Sequence, residues 1–141
     1  MFRPDEWPVA LEVFDAAVAG FGPTTASEPD YTALGADAGG RLVGWICWGP
    51  TPCTLGTYDL YWMAVDPAAQ RAGIGTVLLA EMERRLAGRA RLIVVETAGR
   101  AEYAATRGFY ESRGYRPTAR IPEFYAPGDD LVIYTKSFAG G

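Results

Sequence analysis

The stretch YDLYWMAVDPAAQRAGIGTVLLAEMERRL, residues 58–86, decides the fold. Its apolar run from Leu60 to Val65 has the aromatic and branched content of an interior strand. Asp66 and Pro67 end that strand, because proline has no N–H to give to a ladder. Ile74, Leu78, Met82 and Leu86 then recur every four residues, with Val77 beside them, and predict one apolar helix face. Glu81 and Arg85 are spaced to pair on another face, and Gly88 predicts the stop.

Between strand and helix lies Gln70-Arg71-Ala72-Gly73-Ile74-Gly75. Glycines at a helix start let a ligand approach the backbone. The free N–H groups of the first turn and the positive end of the helix dipole then favour an anion such as a phosphate. Arg71 adds charge at the rim. Two familiar phosphate loops fit poorly. A Walker A loop needs a lysine directly after its last glycine, whereas Thr76 and Val77 follow Gly75. A dinucleotide loop needs a third glycine where Leu78 stands, and its first glycine directly after the strand, whereas residues 66–72 intervene. Glu96, in place to imitate a ribose-binding acid, is what remains of that second reading.

The chain of 141 residues is read as a single domain, 1–141, with 49% apolar and 21% charged residues, a globular composition. A net charge of −4 argues against a nucleic-acid partner and for a cationic one. No apolar run is long enough for a membrane span and no signal segment opens the chain, so a cytoplasmic location is expected and no membrane partner. Cys47 and Cys53 form no paired motif and read as thiols in a reducing compartment. The absence of histidine removes Ser-His and Cys-His catalysis and the usual zinc sites, so no metal is expected.

Along the chain, acids and a proline at residues 5–8 predict a first helix, with Val9, Val13, Phe14 and Ala17 on one side and a stop at residues 20–23. Residues 24–30 read as a polar loop. Residues 31–37 and 41–50 predict two strands joined at Gly39-Gly40, the second buried on both faces. Residues 91–96 predict a buried strand parallel to the 60–65 strand through a right-handed crossover. A short helix at 103–113 buries Phe109. Two last strands follow at 115–121 and 131–138, joined by a long acidic turn at 122–130.

Two motifs carry a resemblance. Gln70-x-x-Gly73-x-Gly75 after an apolar strand is similar to the acyl-CoA loop of the GCN5-related N-acetyltransferase (GNAT) superfamily, Arg/Gln-x-x-Gly-x-Gly/Ala. Phe109-Tyr110-Glu111-Ser112-Arg113-Gly114-Tyr115 resembles that family's Phe-Tyr-Glu-x-x-Gly-Phe, in the matching order and spacing. The resemblance covers residues 31–138. It implies an α/β fold: a mixed, mostly antiparallel sheet flanked by helices, around a central β-loop-α-β acyl-CoA unit. Three departures stand out. Tyr103 and Thr106 occupy positions where the family often has Asn and Ala. The family's first strand finds no room before the first helix, so the sheet lacks that edge or the chain starts downstream of the natural beginning.

The resemblance further implies an acetyl-CoA-dependent N-acetyltransferase acting on a small-molecule or peptide amine. Residues Gln70, Arg71, Ala72, Gly73, Ile74, Gly75 and Thr76 would hold the pyrophosphate, and the backbone of Met63, Ala64 and Val65 the pantetheine and thioester. Arg107 and Arg100 are further phosphate candidates. Tyr110 is the candidate general acid, since a phenol near 10 is roughly matched to a thiol near 8.5. Asp59, six residues before Val65, is the first candidate base; Glu96 is the second, and a water relay needs neither. Asp59 and Tyr61 should share one face, opposite Leu60 and Trp62. The acceptor pocket would draw on the first helix, residues 24–30 and residues 122–130, where aromatics and acids (Trp7, Phe124, Tyr125, Glu123, Asp129, Asp130) with Trp62 suit a cationic amine. A homodimer is compatible with the sheet edge. The rival reading is a non-catalytic acyl-CoA-binding module on the same fold.

Overall fold

The computed structural model describes residues 9–14 and 28–138. They form a sheet of seven strands: β1 (Val9–Phe14), β2 (Thr32–Ala38), β3 (Arg41–Pro50), β4 (Thr57–Val65), β5 (Leu92–Ala98), β6 (Arg116–Ala126) and β7 (Asp129–Ser137). Their order across the sheet is β1-β2-β3-β4-β5-β7-β6. Every neighbouring pair is antiparallel except β4 and β5. That one parallel pair is bridged by helix α1 (Ile74–Leu86), as expected for a strand-helix-strand unit. A second helix, α2 (Ala104–Ser112), precedes β6.

The apolar face of α1 is the predicted one. Ile74, Leu78, Met82 and Leu86 are all buried, and they join Leu34, Ile46, Ile93, Tyr115 and Tyr134 in one core. Gly44 on β3 lets α1 come close. A Cβ there would stand 3.1 Å from Ile74 Cγ2, 3.2 Å from Leu78 Cδ1 and 3.1 Å from the Ala64 carbonyl. The helix therefore rests directly on the backbone of β3 at the end that carries the glycine loop. Strand β3 is largely enclosed, as its apolar content on both faces predicts.

Three expectations are corrected. Residues 9–14 are a strand, not part of a first helix; β1 pairs antiparallel with β2 from Val9↔Ala38 to Phe14↔Ala33. Val9, Leu11 and Val13 also alternate with Ala10 and Glu12, and sheet pairing selects that two-residue period over the helical one. The edge strand thought to be missing is thus present. The remainder of the expected first helix and residues 24–27 of the polar loop lie outside the described residues.

The second correction concerns residues 122–130. Strand β6 runs on to Ala126, and the turn is only Pro127-Gly128, with Gly128 at φ +78°. Residues 122–125 bulge between the pairs Ile121↔Leu131 and Ala126↔Asp129. The Asp130 carboxylate holds them in place. It accepts the Glu123 N–H at 2.9 Å and the Arg120 Nε–H at 2.7 Å. Third, Trp62 does not share the core with Leu60: Leu60 is 5% exposed and Trp62 66%. Trp48 pairs with Leu60 and Cys47 with Trp62, so Tyr61 is an extra residue. Such a bulge shifts the alternation by one, and Met63 and Val65 pack against the core instead.

Gly44→Val puts methyl groups between β3 and α1. It should lower stability by about 1–3 kcal/mol in a urea titration, the usual cost of overpacking, with the slope of the transition unchanged.

Candidate active site

Strands β4 and β5 pair only from Thr57↔Leu92 to Leu60↔Val95. Beyond that they part. Strand β4 continues along β3 and β5 along β7. The gap is a cleft of about 330 Å³ bordered by Leu60, Met63, Val95, Thr97, Thr106 and Tyr110. A second cavity, sharing Met63, Thr106 and Tyr110, carries it on to Val65, Gln70, Gly75 and Phe109. One trough therefore runs from the parted strands to the start of α1.

The direction of the backbone groups in this gap follows from one hydrogen bond. Asp66 N–H donates to the Val43 carbonyl on β3 at 2.8 Å. Successive residues of a strand point their N–H and C=O groups to alternate sides. Ala64 therefore faces β3, and Met63 and Val65 present their N–H and C=O groups to the cleft. The Val65 carbonyl accepts the Gln70 side-chain amide at 3.4 Å. Among the residues expected to line the thioester, Ala64 is thus turned away by its backbone.

At the far end, Asp66 caps a 3-10 turn (Pro67–Ala72) by accepting the Ala68 N–H at 2.9 Å, and Arg41 pairs with Asp66 at 2.6 Å. Arg71 and Ala72 close that turn. Gly73 takes φ +81°, ψ 19°, a left-handed conformation that favours glycine, and α1 starts at Ile74. No acid sits in the first turn of α1. Its N–H groups are therefore not opposed by a local carboxylate. Gly75 lies against the Phe109 ring, 3.4 Å from where a Cβ would be. Ile74 is buried in the core and holds the loop down. Thr76 is exposed, and its Oγ1 accepts from the Arg113 guanidinium.

Tyr110 stands where the two cavities meet. It is 5% exposed, packed edge-on against Phe109 and Tyr115 with ring centroids at 5.3 and 5.7 Å. Burial pushes its hydroxyl up to about 12. The neighbouring tyrosines have spent their hydroxyls: Tyr115 donates to Glu83 at 2.8 Å and Tyr134 to Glu111 at 2.6 Å. No described residue takes the Tyr110 hydroxyl.

Asp59 and Glu96, far apart in sequence, border one small cleft together with Tyr61 and Val94. Glu96 also borders the main cleft. The Asp59 carboxylate is half-engaged, accepting the Thr51 hydroxyl at 2.8 Å. Burial, then the Asp59 charge, raises the Tyr61 hydroxyl. Burial, then Glu96 and Asp129, raises that of Tyr125 in the β6 bulge. Among the described residues no three His, Cys, Asp or Glu side chains gather in a metal-binding group.

Arg107 is occupied otherwise than as a free phosphate ligand. It donates to the carbonyls of Ala98 and Arg100, both at 2.8 Å, and so ties α2 to the end of β5. Arg100 pairs with Glu102 at 3.1 Å. Tyr103 and Thr106 both line the cleft. Sequence reasoning missed Thr51, Phe109 as a wall of the loop, and Arg113. Phe109 and Arg113 lay in a quoted motif, Arg113 at one of its open positions; Thr51 gave no local signal.

The strand gap, the left-handed glycine and the helix start lie along one trough. A family model described as "Acetyltransferase (GNAT) domain" matches residues 29–117, and the chain belongs to this family. It is 29% identical over 106 residues to an uncharacterized N-acetyltransferase of Methanocaldococcus jannaschii, covering 72% of this chain and 63% of that relative. The chain therefore spans less than two thirds of that relative's length. A GNAT-family acetyltransferase structure from Desulfovibrio desulfuricans superposes with a TM-score of 0.73 at 43% identity, over 77% of this chain and 69% of that one. A GNAT acetyltransferase from Elizabethkingia anophelis, solved with acetyl-CoA bound, shares the fold with a TM-score of 0.72 at 14% identity, over 92% of this chain and 98% of that one.

Removing the Arg107 guanidinium takes the side-chain donor from the Ala98 carbonyl at the end of β5, while the Arg100 carbonyl keeps the Tyr103 N–H. Arg107→Met should cost about 1–3 kcal/mol of stability, read as a lower urea midpoint.

Proposed function

We propose that the cleft transfers an acetyl group from acetyl-CoA to a primary amine, both bound together, within one acyltransferase domain. The observation that carries this reading is the open edge of β4. Met63 and Val65 offer unpaired backbone groups along a trough that ends at an uncapped helix start. An extended pantetheine chain can add to that edge as a strand would, with its pyrophosphate on the first turn of α1. The family membership and the acetyl-CoA in a neighbour of the same fold support the choice of donor.

In this reading the amine attacks the thioester carbonyl, a C–N bond forms and the C–S bond breaks. A cleft-facing N–H of Met63 or Val65 donates to the oxygen as its charge develops, a type of contact worth about 3–4 kcal/mol of barrier. The proton lost by the incoming ammonium goes to Asp59 or Glu96, directly or through water. The departing thiolate takes a proton from Tyr110, and the second proton of the nitrogen, lost once the C–N bond has formed, returns to Tyr110 through water. The apolar surroundings that raise the phenol raise the departing thiol as well, which keeps the two matched. The raised value also keeps the donor protonated throughout the neutral range.

The acceptor is a cationic amine, drawn by the carboxylates of Asp59, Glu96 and Asp129. Edge strand β6, exposed along its whole length, leaves room for a second copy. No helix among the described residues is long and apolar enough to cross a membrane.

The test is turnover of acetyl-CoA with a panel of amines. Wild type should turn over, and Tyr110→Phe should lose about 10²–10⁴-fold in kcat with KM for acetyl-CoA little changed. Because the phenol stays neutral, wild-type kcat should show no alkaline decline from Tyr110 until the pH approaches about 12. Acetyl-CoA binding without turnover on any amine would favour the non-catalytic module, and no binding would overturn both.

A further inference from the structure

Arg113 belongs to neither the chemistry nor any expected ligand set, yet it ends beside the glycine loop. Its guanidinium lies over the Phe109 ring, 4.0 Å from the centroid, and Phe109 on its own part walls Gly75. One amino group donates to the Phe109 carbonyl at 3.2 Å and the Ser112 hydroxyl at 2.6 Å. The other donates to Thr76 Oγ1 in the first turn of α1. Its Nε is enclosed and has no partner among the described residues.

Two features show that this arrangement is electrostatically incomplete. A cation beside a helix N-terminus opposes the dipole and is disfavoured unless an anion is present. The first turn of α1 holds no acid, and among the described residues no carboxylate pairs with Arg113. Both positive charges are left for something else to neutralise. The hydroxyl chemistry points the same way. With one lone pair of Thr76 Oγ1 engaged by Arg113, its own O–H is free to donate outward. The surface around the helix start then offers donors, which suits an anion.

We propose that Arg113 is the positioning residue of the phosphate end of the cleft: it turns Thr76 into a fixed hydroxyl donor for the CoA pyrophosphate and supplies the adjacent positive charge. This rests on the acetyl-CoA reading given above. Phe109 links the two ends, since the ring that carries the guanidinium also sets the position of Gly75.

The test compares two donors with one thioester: acetyl-CoA, and S-acetylpantetheine, which has no pyrophosphate. Arg113→Met keeps the aliphatic stem and removes the charge. It should weaken CoA binding in calorimetry about tenfold, the scale of one charge-assisted contact, and flatten its salt dependence. Its kcat/KM with S-acetylpantetheine should stay at the wild-type level. Thr76→Val should weaken CoA to a similar extent, and the double variant should be no worse than the weaker single, because Arg113 acts through Thr76. Arg113→Lys, which keeps the charge without the fork, should fall between, and guards against a general loss of folding. Equal losses with both donors would assign Arg113 to packing and overturn the proposal. Additive losses in the double variant, or unchanged CoA affinity, would overturn it too. Wild type that binds no CoA would bring down the underlying reading, and this inference with it; wild type that binds CoA while Arg113→Met is indifferent sinks only the inference.

Discussion

A single extra residue governs the centre of this molecule. Tyr61 sits opposite the step from Cys47 to Trp48 and has no counterpart of its own on β3. A bulge bends and twists the strand that carries it, and β4 leaves β5 immediately afterwards, past Leu60↔Val95. Buried backbone N–H and C=O groups need partners. In the parted region the Val65 carbonyl takes the Gln70 amide, and the remaining groups of Met63 and Val65 are turned to the trough. The glycine loop, Tyr110 and the two carboxylates are all arranged around that opening.

The order of elements was legible where one period dominates. Helix α1 carries four apolar residues at strict spacing, with the glycine loop before it and Gly88 shortly after, as the reading has it. The parallel pair followed from the strand-helix-strand spacing alone. Residues 9–14 carried two periods at once, and only the presence of β2 as a partner decides between them. The β4 bulge was hidden because aromatic residues occupy both Tyr61 and Trp62, so polarity does not mark the change of face. Residues 122–130 read as a turn from their proline and acids; a side chain, Asp130, supplies there the bonds that a ladder would have given.

For the site, the local motifs carried the most. Gly73 needs its left-handed conformation and Gly75 its close neighbour, and both are properties of a short stretch. The Asp59–Glu96 juxtaposition needs the register of β4 on β5, which a sequence states only indirectly. The contacts from Thr51 to Asp59 and from Arg113 to Thr76 are invisible to any period or motif, because they depend on where loops and helix ends come to rest. Arg107 shows the reverse case. A guanidinium in the second motif's helix invites an assignment as a phosphate ligand, and two backbone carbonyls engage it.

The parting of β4 from β5 also has a mechanical side. The sheet is two leaves, β1 to β4 and β5 to β7, sewn together along one short seam. Tyr58, Leu60, Ile93 and Val95 stiffen that seam from the core side. The leaves beyond it are laid out like the arms of a pair of tongs, with the seam in the place of the pivot and the trough in that of the jaw. A change of volume at Tyr58 or Ile93, which border neither cavity of the trough, therefore bears on the width of a slot that Leu60 and Val95 line directly.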